Sequence, residues 1–265
     1  MDAPANGRLF AVKRGSGDDA PAVFLHGFGA SSAVWADIRT RLSRERPSLA
    51  YDLPGHGQSQ LAQGLERTGK MAGAVTDDLS ARDIETVHLI GHSMGGAVAT
   101  LIAMRTPAKV ASMTLLAPGG YGPEINHRLL RLYATTREPE RLHSIAEMMF
   151  GWNAEIPDAY IDTLARSRAV PGVVGQLIAI LESMLKERGG NLEQGVFHRD
   201  ALDALRMPVN VLWGLQDCIV PARQARQLPQ HFGVDLLEGA GHMLIEECTE
   251  EAFSLICRTI ASTGC

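Results

Sequence analysis

The segment Gly91-His92-Ser93-Met94-Gly95-Gly96 narrows the possible folds more than any other part of the chain. It follows directly on residues 87–90, an apolar run of strand length, and opens the Ala-rich, helix-like stretch 95–105, which ends just before Pro107. A serine wedged between a strand and a helix needs a sharp, strained turn, and the glycines at 91 and 95 give that turn room. The hydroxyl is then exposed at the mouth of a sheet, among helix N-terminal amides.

The surrounding sequence has the matching rhythm. Strand-length runs at 8–13, 22–25, 49–51, 87–90 and 111–116 alternate with helical stretches at 32–43, 69–82 and 95–105. That alternation predicts a doubly wound, mostly parallel α/β sheet, whose ligands bind beyond the carboxyl ends of the strands. After Pro118 the pattern changes to four helical stretches, 125–138, 141–150, 157–168 and 173–187, with no strand expected among them. Strand runs resume at 209–213 and 234–237, and a closing helix is expected over 250–260. Residues 1–118 and 204–265 are therefore read as the sheet domain and 119–203 as a helical cap.

A serine hydroxyl attacks only when a base takes its proton and an acid orients that base. The strand at 209–213 runs into Gly214-Leu215-Gln216-Asp217, and the strand at 234–237 runs into Glu238-Gly239-Ala240-Gly241-His242. Asp217 and His242 are the expected acid and base, with Asp203 and Asp235 as alternatives to Asp217. His127, His143, His198 and His231 are read as surface or cap residues. Two backbone N–H groups should stabilise the oxyanion formed on attack. Met94, next to the serine, is one candidate; Phe28, in the loop His26-Gly27-Phe28-Gly29, is the other, with His26 fixing the loop's geometry. Phe28, His92, Met148, Trp152 and Met243 are the candidate pocket residues. Met148, Met149, Phe150, Trp152 and Met184 supply apolar surface in the insert, most of it expected to be packing.

Composition removes other classes. With 25 Lys and Arg against 30 Asp and Glu, the net charge is −5, and no basic block offers a nucleic-acid footprint. Asp52 and His56, in the loop DLPGHGQS, lack a cluster with metal-ligand spacing, and no phosphate-binding or dinucleotide glycine pattern is present. Neither a cofactor nor a metal is expected. Cys218, Cys248, Cys257 and Cys265 form no C-x-x-C pair. MDAPANGRLF has no signal-peptide character and no apolar run reaches about 18 residues, so a cytoplasmic thiol protein with a small-molecule substrate is expected.

Taken in order, HGFG, DLPGHGQS, GHSMGG, GLQD and GAGHM resemble the α/β-hydrolase superfamily along nearly the whole chain. The resemblance implies a Ser93, Asp217, His242 triad, amide donors at Phe28 and Met94, and a cap between the strands ending near Leu116 and Trp213. It also separates the chain from superfamily members with an aspartate nucleophile. The segment LAPGGYGPEIN, from Leu116 to Asn126, resembles the hydrolase domain of acetoin-dehydrogenase dihydrolipoamide acetyltransferases and the carbon–carbon hydrolases of aromatic ring cleavage. The former carry a lipoyl domain ahead of the hydrolase domain, where about twenty residues precede the first clear strand here. The latter typically have Asn before the nucleophile and Trp after the histidine, where this chain has His92 and Met243. The expectation is a serine hydrolase of ester, thioester or related acyl bonds with water as acceptor. Carbon–carbon hydrolysis, dihydrolipoamide acyl transfer and a non-catalytic ligand receptor are the alternatives.

Overall fold

The computed structural model describes residues 9–43, 46–59, 64–152 and 154–264; Arg8, in the first expected strand, and Cys265 lie outside them. Seven strands form the central sheet: β1 (Ala11–Arg14), β2 (Ala22–Leu25), β3 (Ser48–Tyr51), β4 (Val87–His92), β5 (Val110–Leu116), β8 (Val209–Gly214) and β9 (Gly233–Leu237). Their order is β1-β3-β2-β4-β5-β8-β9, with β1 antiparallel to β3 and every other pairing parallel. Parallel strands covered on both faces should read as unbroken apolar runs. In β2, β3 and β4 every residue is buried. Helices α1 (Ala36–Leu42), α2 (Thr68–Ala81), α3 (Met94–Arg105) and α10 (Thr249–Ala261) complete the sheet layers. The stretch 32–43 is divided, its first turn, Ser32–Trp35, being a 3₁₀ turn capped by Ser31.

Register decides which loops meet. Leu25 pairs with Gly91, so the loop after β2 emerges beside the turn after β4. His92 pairs with Leu116, Leu116 with Leu212, and Gly214 with Leu237. The ends of β4, β5, β8 and β9 are therefore flush, and the chain reverses its direction of winding between β2 and β4, where a crevice opens.

Between β5 and β8 lie α4 (His127–Thr135), α5 (Pro139–Glu147), α6 (Asp158–Ala169) and α7 (Val173–Met184). The expectation of an insert without strands is corrected here. Residues 173–187 do not form one helix: the chain leaves α7 at Met184 and makes an antiparallel hairpin, β6 (Leu185–Arg188) and β7 (Asn191–Gln194). Gly189 and Gly190, at φ 58° and 79°, form its two-residue turn, which demands two left-handed residues. A short helix, α8 (Arg199–Asp203), leads back to β8, and α9 (Leu244–Glu247) precedes α10. No single helix among the described residues is long and apolar enough to cross a membrane.

Candidate active site

Ser93 occupies the turn between β4 and α3 at φ 52° and ψ −116°, a conformation that stores about 1–3 kcal/mol of strain. The surrounding glycines make the turn possible. A Cβ on Gly91 would stand 2.5 Å from the Gly95 carbonyl oxygen, and one on Gly95 would stand 2.2 Å from that of Leu25. Gly95→Ala is expected to destabilise the fold by about 3 kcal/mol or more, because the obstructing atoms are backbone. Urea unfolding of the variant checks this, and a wild-type midpoint would refute it. The turn is also tied to the end of β5 and the segment after it: Ser93 N–H donates to Leu116 C=O at 2.9 Å, and Gly119 N–H donates to Ser93 C=O at 3.0 Å.

Three side chains from three loops form one hydrogen-bonded line. Ser93 Oγ lies 3.0 Å from His242 Nε2, and His242 Nδ1 lies 2.8 Å from Asp217 Oδ2. All three residues are buried. Asp217 is held from every side: Oδ1 accepts from the amides of Ile219 and Val220 at 2.8 and 2.9 Å, and Oδ2 also accepts from Trp213 Nε1 at 3.2 Å. A carboxylate so saturated favours the tautomer of His242 that carries its proton on Nδ1, leaving Nε2 free to accept from Ser93. Asp203 and Asp235 are on the surface, paired with Arg199 and Arg258.

His242 must reach back from the end of β9 to β4, across two intervening strands. Its loop is fixed by several hydrogen bonds. His242 N–H donates to Met149 C=O at 2.8 Å, and its own C=O accepts from His92 Nε2 at 2.8 Å. The amides of Gly241 and Met243 each donate to the Glu247 carboxylate at 2.8 Å, as does that of Gly151 at 2.7 Å. Sequence reasoning did not single out Glu247; its position five residues after the histidine, at the end of the short helix α9, is the only local sign. His92 is buried and burial depresses its pKa to about 3, so it is a neutral donor. Glu246 next to the site is pushed up to about 8 by burial.

The loop after β2 is organised by two further histidines. His26 Nε2 accepts from Leu53 N–H at 2.9 Å while Nδ1–H donates to Gly27 C=O at 2.7 Å. His56 Nε2 accepts from Gly29 N–H at 3.0 Å. Burial lowers the pKa of both rings. Asp52 accepts from Ser32 and Gln58 amides at 2.7 Å each, so the DLPGHGQS loop braces the backbone of its neighbour. Among the described residues no group of three or more His, Cys, Asp or Glu is placed to hold a metal ion.

A cavity of about 830 Å³ opens at Ser93, within the range of small-molecule sites. Phe28 and Met94 line it from the sheet side, and Met184, Leu185 and Phe197 line it from the insert. The Phe28 amide has no acceptor among the described residues, and Met94 opens α3, where amides lack intrahelical partners. His92 and Met243 border a narrow space behind Ser93 and His242. Met148 and Trp152, expected in the pocket, are corrected: they are 50% and 75% exposed and border neither space. Here the chain turns after α5, so Met149 and Phe150 point inward beneath the His242 loop and Met148 and Trp152 face out. Cys218 is exposed and Cys248 and Cys257 are half-buried, and none of the three is in a disulfide.

Comparisons with known proteins agree with this fold. Residues 22–254 match the alpha/beta hydrolase family. The chain is 31% identical over 236 residues to the dihydrolipoyllysine-residue acetyltransferase component of an acetoin cleaving system from Cupriavidus necator, covering 89% of this chain and 62% of that protein. It thus spans about three-fifths of that relative's length. It is 28% identical to a pimeloyl-[acyl-carrier protein] methyl ester esterase from Neisseria meningitidis, covering 86% of each. The meta-cleavage product hydrolase from Pseudomonas fluorescens IP01 superposes with a TM-score of 0.83 at 18% identity, covering 96% of this chain and 94% of that one. The flush strand ends, the strained serine turn and the family match lead to one assignment: the chain belongs to the alpha/beta hydrolase family.

Proposed function

We propose that the protein is a serine hydrolase that cleaves an ester, thioester or related acyl bond of a small to medium, largely apolar substrate through an acyl-enzyme. The observation that carries this reading is the unbroken hydrogen-bonded line from Asp217 through His242 to Ser93 at the wall of a large cavity, where apolar side chains stand beside the charged groups of Glu66, Arg67, Glu182 and Lys186. His242 takes the Ser93 proton as Oγ attacks the acyl carbon. The amides of Phe28 and Met94 bind the oxygen that becomes negative. The His242 proton then passes to the leaving alcohol or thiol, and a water, deprotonated by the same ring, releases the acid. Residues 119–203 act as a cap over this cavity.

Two measurements test the reading. A fluorophosphonate is expected to react stoichiometrically and to map to Ser93; labelling elsewhere, or none, overturns it. Comparing kcat/KM for p-nitrophenyl esters, thioesters and ring-cleavage dienoates on one preparation is expected to favour the acyl substrates. A dienoate preferred over every ester by about 100-fold, or roughly 2.7 kcal/mol of discrimination, would reassign the chemistry to carbon–carbon cleavage.

A further inference from the structure

The helical insert reaches the oxyanion loop through a residue that no motif marks. Arg168, in the last turn of α6, is fully buried. Its Nη1 donates to the carbonyl of Gly29 at 2.9 Å, across 139 positions of sequence. The guanidinium lies over the Tyr133 ring, 4.9 Å from its centroid. Among the described residues Nε and Nη2 have no acceptor at hydrogen-bond geometry, and no carboxylate pairs with this cation. Burying a guanidinium without a counter-ion is costly, and an apolar side chain would fill the space more stably. The strong polar contact that this arginine makes is the one with Gly29.

Gly29 is held from both sides. Its N–H donates to His56 on the sheet domain, and its C=O accepts from Arg168 on the insert. At φ 73° it adopts a conformation that leaves a glycine free to move elsewhere unless its peptide groups are pinned. Nη2 packs so closely that a Cβ on Gly29 would stand 2.6 Å from it. Phe28, the residue before, contributes the amide assigned above to the oxyanion. Arg168 borders neither the cavity nor the narrow space behind Ser93, so it acts through the loop and not on the substrate.

We propose that Arg168 is a positioning residue that holds the Phe28–Gly29 segment in its oxyanion-binding geometry while the insert is seated, so that the insert completes the machinery it covers. The proposal rests on the reading of Phe28 as an oxyanion donor. The insert seats on the base loop too, where Met149 C=O accepts from His242 N–H.

The test uses the full chain with Arg168→Met, which keeps the volume and removes the donor, and Arg168→Lys, which keeps one. Arg168→Met is expected to unfold at or above the wild-type temperature, yet to lose about 30- to 100-fold in both kcat on a p-nitrophenyl ester and the rate of Ser93 labelling by fluorophosphonate. KM should stay within about threefold and the pH profile should not move, since the base loop is untouched. Arg168→Lys should recover at least about a third of the lost activity on a logarithmic scale. A kcat for Arg168→Met within threefold of wild type, a loss confined to KM, or equal impairment of the two variants would overturn the proposal. If Arg168→Met does not fold, Arg168→Leu, which also lacks a donor, takes its place: a kcat deficit at constant KM and pH profile, relieved in Arg168→Lys, supports the role, and wild-type kcat overturns it. Absence of Ser93 labelling in the wild type would instead remove the functional reading itself.

Discussion

Ser93→Ala and His242→Ala are each expected to lower ester turnover by roughly 10⁴-fold or more, about 5.5 kcal/mol of transition-state stabilisation, and the double variant should be no worse than the singles. The line of contacts gives the reason. Without Oγ there is no atom to attack, and without Nε2, 3.0 Å away, Oγ keeps its proton. Each loss leaves the other partner idle, so the effects cannot multiply. Asp217→Asn is expected to cost less than either. Oδ1 accepts from two amides, so the Asn oxygen would take that place and turn its NH₂ toward Trp213 Nε1 and His242 Nδ1. Two donors then face each other, and His242 can relieve this only by moving its proton to Nε2, where it cannot accept from Ser93. Steady-state kinetics decide the matter. Ser93→Ala within tenfold of wild type, or Asp217→Asn within threefold, would mean that other groups do the work.

The fold is expected to lose stability steeply below about pH 6.5, the value of a histidine in the unfolded chain. Besides His242, four histidines are buried as neutral rings: His26, His56, His88 and His92. Burial lowers all four, His88 to about 4 and His92 to about 3. As pH falls below 6.5 the unfolded chain takes up these protons while the native state refuses them, so the native state is penalised. Each ring contributes up to about 1.4 kcal/mol per pH unit. Glu246 works in the opposite direction. Its pKa is raised to about 8, so the native state keeps a proton that the unfolded chain has lost, and its burden eases as pH falls from 8 toward the ordinary carboxylate range. The balance is about 4 kcal/mol per pH unit at most, so a total stability on the order of 5–15 kcal/mol is exhausted no higher than about pH 5, and acid unfolding is expected below that value. Urea midpoints at pH 7.5, 6.0 and 5.0 test this. A free energy of unfolding that stays level between pH 7 and 5 would show that these rings are protonated in the native state.

The fluorophosphonate, substrate-panel and Gly95→Ala outcomes depend on features readable at short range. Gly91, Ser93 and Gly95 lie within five positions, flanked by a strand run and a helix run, and their constraint is a local steric one. The loops holding Asp217 and His242 could be read for the same reason, as polar residues just past apolar runs in Gly-rich segments. The hairpin β6–β7 was legible too, in Gly189-Gly190, but the helical period before it masked the turn. Met148 and Trp152 show where such reading ends. Apolar character gave both a claim on the pocket, and the direction of one irregular turn after α5 put their neighbours inside instead.

From the sequence alone came the α/β alternation, the strained serine and the chain order of serine, acid and base, because each is set by residues within a few positions of one another. Tertiary structure alone decided that Glu247 also takes the Gly151 amide of the insert, that Met149 C=O accepts from His242 N–H and that Arg168 reaches Gly29. It also decided that Ser93 and His242, 149 positions apart, stand at hydrogen-bonding distance. Such contacts follow from strand register and loop closure, which bring distant segments together only when the whole sheet has formed, and no local pattern of residue types records them.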